Sequence, residues 1–205
     1  MTAIPLRSKQ NGQVNKIQHL LFQESLEIKT PRDLEIKEIH PKVASRLNNL
    51  YHSRLPKIPV SNIIRNTHYV CYGLFYGSKA VGVAIWSSPV AQNRFTDGKQ
   101  ILELRRLALN EECPKNTASW SIAKMVKLIK QKFPDITRLI SYQDTMVHQG
   151  TIYKASNWVA ANETEFISWT TEERERNPDQ ATGKKIRWEY SINSITKRIE
   201  AGESG

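Results

Sequence analysis

A predicted β-hairpin at residues 68–88 most restricts the folds that this chain can adopt. The run HYVCYGLFYG (68–77) is rich in β-forming aromatic residues, and AVGVAIWSS (80–88) alternates larger apolar residues with small ones. The residues between these runs, Gly77-Ser78-Lys79, are typical of a tight turn. The segment therefore predicts two adjacent antiparallel strands, around which the other elements must be arranged.

The remaining hydrophobic patterns predict strands and helices on both sides of this hairpin. A helical stretch begins at Pro41, with Val43, Leu47, Leu50 and Tyr51 on one face. The order β-α-β-β-β-α-β-α-β-β predicts an α/β (α+β) domain with a mixed, mostly antiparallel sheet flanked by helices. The additional strands are predicted at 34–40, 101–109, 136–142, 164–169 and 185–190, and the helices at 41–56, 114–133 and 151–161.

A chain of 205 residues suits one domain with a substantial core. We expect a basic, loosely ordered arm at residues 1–30 and the single catalytic domain at residues 31–190. A polar tail is expected at residues 191–205. No apolar run approaches the roughly 18 residues that span a membrane, and the first residues lack a signal-peptide core, so we expect a cytoplasmic protein without a membrane partner. Cys71 and Cys113 are too few for a disulfide framework.

The charge balance favours an anionic partner. The formal net charge is +10 and the isoelectric point is near 9.6, which attracts phosphate backbones. A basic surface that serves only solubility is the alternative. The sequence predicts a nucleic-acid partner and leaves the oligomeric state open.

Polar residues that are costly to bury without partners concentrate around two predicted strands. Asp144 and His148 follow the strand at 136–142, where open sheets place functional groups, and Tyr153 lies in the next helix. Glu103, Arg105 and Arg106 interrupt the apolar strand at 101–109, so these charges must be paired or must face a cleft. An internal ion pair between Glu103 and one arginine is the structural alternative to a binding role.

Four sequence blocks follow one another along the chain: Leu104-Arg105-Arg106-Leu107-Ala108, residues 114–119 (PKNTAS), residues 141–144 (SYQD) and residues 148–158 (HQGTIYKASNW). In this order they resemble the central blocks of the Mom family. The resemblance implies a fold similar to the GNAT acyltransferases and an enzyme that converts adenine in double-stranded DNA to a carbamoylmethyl adenine. In phages that mark protects DNA from host restriction enzymes. The resemblance also implies an acyl-CoA donor such as acetyl-CoA, and an iron ion.

The GNAT comparison assigns roles to some of these residues. Tyr153 stands where many GNAT enzymes carry a tyrosine that protonates the departing thiolate, with Asn157 in place of the usual glycine. GNAT enzymes hold the CoA pyrophosphate in a glycine-rich turn, whereas this chain lacks those glycines at residues 113–119. Backbone amides at a helix start can still bind phosphate, here with Lys115, Asn116, Thr117 and Ser119. Arg105 or Arg106 would anchor substrate or donor.

Metal and DNA contacts are further expectations from the resemblance. His68, Asp144 and His148 could form a two-His-one-carboxylate iron site, while Asp144 could instead orient or deprotonate the adenine amine, or cap a turn. The target base must be flipped out of the duplex, and Tyr142, Trp158 or Trp86 could hold it. Cations that could meet phosphates are Lys124, Lys127 and Lys130, with Arg7, Lys9, Lys16, Arg65, Arg94 and Lys99 as further candidates.

Two other functions fit the same residues. One is an ordinary GNAT N-acetyltransferase that acts on a protein or a small amine, which would need a working pyrophosphate loop. The other is a non-catalytic DNA-binding protein on an acyltransferase scaffold, for which Asp144, His148 and Tyr153 would serve no purpose.

Overall fold

A seven-stranded mixed sheet organises the chain, in the order β1-β2-β3-β4-β5-β7-β6. The computed structural model describes residues 27–51, 57–90, 93, 95–146, 149–164 and 184–192. The strands are β1 (Glu35–Glu38), β2 (Tyr69–Tyr76), β3 (Lys79–Ser87), β4 (Ile101–Leu109), β5 (Arg138–Asp144), β6 (Val159–Thr164) and β7 (Lys185–Ser191). The helices are α1 (Pro41–Tyr51), α2 (Ser61–Ile64), α3 (Thr117–Lys132) and α4 (Thr151–Lys154).

The single parallel pair in this sheet fixes where functional groups can collect. Strands β4 and β5 are parallel and are joined through α3, whereas every other neighbouring pair is antiparallel. In such a βαβ unit the carboxyl ends of both strands and the start of the helix lie at one edge of the sheet. We call this edge the carboxyl edge.

Helices cover the two faces of the sheet unequally. Helix α3 packs on one face, where Ile122, Met125 and Ile129 join Trp86 and Leu102 in the main core cluster. Spacings of three and four residues place these helical side chains on one stripe. On the opposite face, α1 and α2 cover residues of β2, β3 and β4 in a second cluster, which contains Ala44, Ile63, Cys71, Val83, Ile85 and Ala108.

The predicted fold class and the central elements are confirmed, and two local predictions are wrong. The helix predicted at 151–161 ends at Lys154, because Asn157 adopts a left-handed backbone (φ 62°) and β6 begins two residues later. On α1, Val43 and Leu50 are 45% and 70% exposed instead of facing the core. Ala44 and Asn48 are the buried residues of that helix.

The packed domain extends slightly beyond its predicted limits. Ile28 and Ile192 are 7% and 3% exposed and belong to hydrophobic clusters. Residues 1–26 of the predicted arm, 193–205 of the predicted tail and 165–183, which hold most of the strand predicted at 164–169, lie outside the described residues. No helix in the described part of the chain is long and apolar enough to cross a membrane.

Candidate functional site

A cleft opens at the carboxyl edge because β4 and β5 pair over only part of their length. Their register runs from Ile101 opposite Arg138 to Leu104 opposite Ser141 and then stops. The pairing of β4 with β3 shifts at the same level, with Trp86 opposite Leu104 but Ile85 opposite Arg106. One extra residue in β4, Arg105, therefore forms a bulge, and bulges bend and twist a strand. We call the space between residues 105–109 and 142–144 the β4–β5 cleft.

Tyr153 lies at the point where the two strands separate. Its hydroxyl is 2.8 Å from Ser141 Oγ, and Ser141 Oγ donates to the carbonyl of Leu104 at 3.2 Å. Because the Ser141 hydrogen is used on Leu104, the Tyr153 hydroxyl is the donor to Ser141. Burial raises the pKa of Tyr153, and the bond to Ser141 lowers it by a smaller amount. The phenol is therefore held protonated at neutral pH, as a proton donor requires.

The packing around Gly150 positions α4 and hence Tyr153. Gly150 has φ 71°, and a Cβ there would lie 2.5 Å from both Gln143 Oε1 and Trp188 Cζ2. The indole of Trp188 donates to Gln143 Oε1 at 2.7 Å. Its ring stacks on Tyr153 with centroids 5.4 Å apart and an interplanar angle of 15°. Only glycine fits this position, so it lets the helix start close enough for Tyr153 to reach Ser141.

The two consecutive arginines of β4 have different partners. Arg105 Nε lies 3.9 Å from Glu103 Oε1, and Arg105 donates to Ser87 Oγ at 3.2 Å. Glu103 is 8% exposed and also accepts from the backbone amide of Val90 at 3.1 Å. The structural alternative, an internal ion pair, thus holds for Arg105.

Arg106 has no carboxylate within 4.0 Å among the residues that the structure describes. It donates to the carbonyl of Arg105 at 2.7 Å, while its buried Nε has no hydrogen-bond partner there. Burial, followed by the charge of Arg105, lowers its pKa, and Glu103 raises it. A half-buried guanidinium of this kind gains stability from an anionic ligand.

Asp144 ends β5 at the mouth of the cleft. Its Oδ1 accepts from the backbone amide of Met146 at 3.0 Å, so the predicted capping contact is present. Alternation along β5 places Asp144 on the same face as Tyr142, which is 38% exposed. His148 lies outside the described residues.

The start of α3 lies at the same edge but uses its hydroxyls internally. Thr117 Oγ1 donates to the carbonyl of Pro114 at 2.7 Å, and Ser119 Oγ donates to the carbonyl of Asn116 at 3.1 Å. Asn116 precedes the helix with φ 69° and makes no side-chain cap. The Thr117 amide also donates to the carbonyl of Pro114, at 3.3 Å, so Lys115 and the other backbone amides of the first turn are what remain for an anion.

Two of the three predicted iron ligands, His68 and Asp144, lie far apart, and the third, His148, is outside the described residues. His68 Nε2 contacts Asp135 Oδ2 at 3.2 Å, just before β5 begins, whereas Asp144 ends that strand. Seven residues of extended chain separate these points by on the order of 20 Å. Within the described ranges there is no group of three His, Cys, Asp or Glu that could hold a metal ion.

The predicted aromatic base clamps and the cysteines belong mostly to the interior. Trp86 and Trp158 are 0% and 4% exposed and belong to the main core cluster. Side chains this deeply buried cannot receive a flipped base. Cys71 is buried, and burial together with Glu38 raises its pKa to about 12. Burial also raises the pKa of Cys113, whose Sγ lies 3.4 Å from the carbonyl of Val81. Neither thiol has the lowered pKa of a nucleophile.

The predicted phosphate contacts are exposed where the structure describes them. Exposed residues among them are Lys99 and Arg65, together with Lys115, Lys124, Lys127 and Lys130. Arg7, Lys9, Lys16 and Arg94 lie outside the described residues.

Sequence reasoning missed Trp188 and the ionic network beside it on β7. Arg138 Nη1 bonds Glu189 Oε2 at 3.0 Å, and Arg187 Nε lies 2.7 Å from Glu189 Oε1. Both guanidinium groups lie over the Phe95 ring, 5.4 and 5.2 Å from its centroid. The only available signal was the alternation of charged and aromatic residues in KIRWEY (185–190).

Comparison with known proteins places this arrangement in context. The model of the Mom protein family matches residues 33–203. The methylcarbamoylase Mom of Escherichia phage Mu is 30% identical over 110 residues, which are 49% of this chain and 46% of that protein. The chain thus matches about half the length of this curated relative.

Solved acetyltransferases share the fold at low sequence identity. An IAA acetyltransferase from Bacillus cereus is 12% identical, with 77% of this chain and 99% of that one covered at a TM-score of 0.55. A spermidine N-acetyltransferase chimera from Vibrio cholerae is 9% identical, with 81% and 99% covered and a TM-score of 0.59. A Bacillus subtilis acetyltransferase in complex with CoA is 14% identical, with 77% and 97% covered and a TM-score of 0.53. The chain therefore has the GNAT-like fold.

Proposed function

The chain belongs to the Mom protein family, and we propose on this premise that it is a transferase that modifies the exocyclic amine of adenine in double-stranded DNA. The observation that carries the proposal is the buried phenol of Tyr153, bonded to Ser141 where the β4–β5 ladder ends; beyond that point β4 continues with Arg106 and β5 ends with Asp144. Group transfer to an amine needs a proton donor, an anion-binding group and a carboxylate. Here these groups lie on separate elements around one cleft.

Each residue has a separate task in this scheme. Asp144 accepts a hydrogen bond from the adenine amine through the carboxylate oxygen that does not hold Met146, and takes up the proton that the amine loses. Tyr153 gives its proton to the departing group of the donor and keeps its ring fixed against Trp188. Arg106 holds an anionic group of the donor or of the DNA.

The donor in this proposal is an acyl-CoA, with acetyl-CoA as the simplest case. Lys115 and the free backbone amides at the start of α3 would hold its phosphates. The CoA complex of the Bacillus subtilis acetyltransferase supports a thioester donor in this fold. The described residues offer no metal cluster, so no step here is assigned to iron.

The product that we propose is carbamoylmethyl adenine, which would protect phage DNA from host restriction enzymes. The name of the phage Mu relative, methylcarbamoylase, supports a group of this composition. Simple acyl transfer forms a bond to the carbonyl carbon. A carbamoylmethyl group is instead joined through its methylene carbon and carries an amide nitrogen. Starting from an acetyl thioester, the full reaction therefore needs a nitrogen source that displaces the thiol at the carbonyl carbon, and a two-electron oxidant that accepts the electrons of the methyl C–H bond when the C–N bond to adenine forms.

The decisive experiment analyses DNA from bacteria that express the chain. Plasmid DNA is digested to nucleosides and examined by mass spectrometry, with Asp144→Ala as the inactive comparison. We expect a deoxyadenosine heavier by one carbamoylmethyl group in the wild-type sample alone. Unmodified DNA beside newly acetylated proteins or polyamines would instead establish an ordinary N-acetyltransferase. DNA binding without any modified nucleoside or acetylated amine would establish a non-catalytic binder.

A further inference from the structure

Met146 presents an apolar side chain to solvent at the mouth of the β4–β5 cleft. It is 81% exposed, the largest value among the exposed large hydrophobic residues that the structure describes. It lies two residues after Asp144, in the loop that leads from β5 to α4. An exposed apolar residue is ordinary when it is isolated on a surface, so its position beside the candidate site needs further evidence.

Hydrogen bonds hold the backbone of Thr145 and Met146 in place. The backbone amide of Met146 donates to Asp144 Oδ1 at 3.0 Å. The amide and hydroxyl of Thr145 both donate to the carbonyl of Lys184, at 3.1 and 2.9 Å. The backbone of residues 145–146 is therefore tied to the end of β5 and to the start of β7, and the exposed, unbranched thioether of Met146 projects from it into solvent.

Two lysines at the start of β7 lie beside the turn that carries Met146, and the Nζ of one of them, Lys184, also lies 3.9 Å from Glu163 Oε1. Lys184 and Lys185 begin or precede β7, with Lys185 opposite Asp144 in the strand register, and both are exposed. Lys154, at the end of α4, is exposed as well. An apolar tip among lysines matches the surface of a nucleic acid, in which stacked apolar bases lie between phosphates.

We propose that Met146 is a positioning residue that enters the base stack as the target adenine leaves it. This inference rests on the proposed function, since only an enzyme that acts on duplex DNA has to extrude its substrate. Extrusion costs a few kcal/mol of unstacking and unpairing, and an apolar wedge offsets part of that cost by occupying the space that the base vacates. Tyr142 and Asp144 are placed on one face of β5 to receive the flipped base.

The test uses two DNA duplexes that contain an adenine that the wild-type enzyme modifies. In one duplex the adenine is paired with thymine, and in the other it lies opposite an abasic site, where extrusion is already easy. We expect Met146→Ala to modify the paired adenine roughly 10- to 100-fold more slowly and the unpaired adenine at close to the wild-type rate. Met146→Leu should retain most of the activity on both duplexes, because it preserves an apolar wedge.

Two further measurements separate this role from a general defect. Leu50→Ala removes another exposed apolar side chain, 70% exposed on α1, and should leave both rates unchanged. With 2-aminopurine as the target base, Met146→Ala should give weaker fluorescence than the wild-type enzyme when both proteins saturate the duplex.

The possible failures are distinguishable. Equal loss of rate on both duplexes, or wild-type fluorescence from the alanine variant, would overturn the wedge and leave the proposed function intact. If no such duplex can be found, because DNA from cells that express the wild-type chain contains no modified adenine, the proposed function is overturned and, with it, the role of Met146.

Discussion

The first and second halves of the β4–β5 pair are adjacent along both strands but differ in structure: the first half is hydrogen-bonded and buried, and the second half is open and polar. Over residues 101–104 and 138–141 the strands form a regular parallel ladder, and Leu102 and Leu139 are fully buried beneath α3. Past Ser141 the ladder ends, and the next residues of the two strands include Arg105, Arg106 and Asp144. The paired half stabilises the domain, and the open half exposes polar groups.

A single inserted residue creates this difference. The bulge at Arg105 changes the partners of β4, so that Leu104 and Arg106 lie opposite adjacent residues of β3. The extra residue interrupts the regular alternation of side chains, so that Arg105 pairs with Glu103 while Arg106, the next residue, has no carboxylate within 4.0 Å among the described residues. A stable sheet can therefore contain a polar cleft without losing the core on its other face.

Tyr153→Phe should give the largest change in activity. The variant keeps the stacking on Trp188 but loses the only proton that Tyr153 can give to a departing group. We expect the rate of DNA modification to fall about 10²- to 10⁴-fold, with a loss of about 1 kcal/mol in the free energy of unfolding. Single-turnover modification rates and urea denaturation measure the two effects.

Leu102→Ala, in the paired half, is the contrasting variant. It should lower the free energy of unfolding by about 2–5 kcal/mol through loss of buried contacts, while the folded fraction keeps its turnover rate. Full activity in Tyr153→Phe would remove the phenol from the mechanism and would weaken the division of the pair into a stabilising half and a reactive half.

Arg106→Met should affect affinity and stability in opposite directions. Since the guanidinium is half-buried without a nearby carboxylate, its removal should raise the free energy of unfolding by about 1 kcal/mol. The Kd for DNA or for the acyl donor should rise about tenfold or more, because an anion loses its partner. Binding titrations and denaturation curves test both effects.

Arg105→Met provides the matched control for the same strand. It leaves Glu103 buried without its nearest ion-pair partner, so this variant should be less stable than the wild type. If the two methionine variants behave alike, the distinction between a paired and an unpaired arginine is wrong.

The smallest effect should be a pH dependence that arises from Glu103. Burial raises its pKa in the folded protein, against the lowering effects of the Val90 amide and nearby cations. The stabilisation that this pKa difference gives the folded protein is therefore complete below the pKa of Glu103 in the unfolded chain, about 4.3. It declines as the pH rises through the pKa of Glu103 in the folded protein. Glu103→Gln, which cannot ionise, should gain stability relative to the wild type as pH rises from 4 to 7, measured by urea unfolding. A constant difference would show that the folded and unfolded pKa values are equal.

The sequence predicts the framework well because several local signals agree there. The hairpin of β2 and β3 combines β-forming residues with a turn at Gly77, and α3 has an apolar stripe between clear limits. The predicted cluster of Arg105, Arg106 and Asp144 lies at one edge because a βαβ connection brings the ends of its strands together.

Other features depend on register and packing, which a single sequence does not specify. The sequence could not distinguish Arg105 from Arg106, because a one-residue bulge decides which arginine meets Glu103. His68 was grouped with Asp144 through the family resemblance and the residue types that bind iron, although the fold places them at opposite ends of β5. Trp188 was missed because its contact with Tyr153 joins elements 35 positions apart.

The position of β7 has a consequence for the order in which activity is acquired. This strand lies between β5 and β6, although it follows both of them along the chain, and it carries the Trp188 ring that stacks on Tyr153. While the ribosome is still adding residues 165–184, β5 has an unfilled edge and the tyrosine lacks its stacking partner. A nascent chain should therefore lack the complete site until its last described strand is inserted, so that translation itself delays the completion of that site.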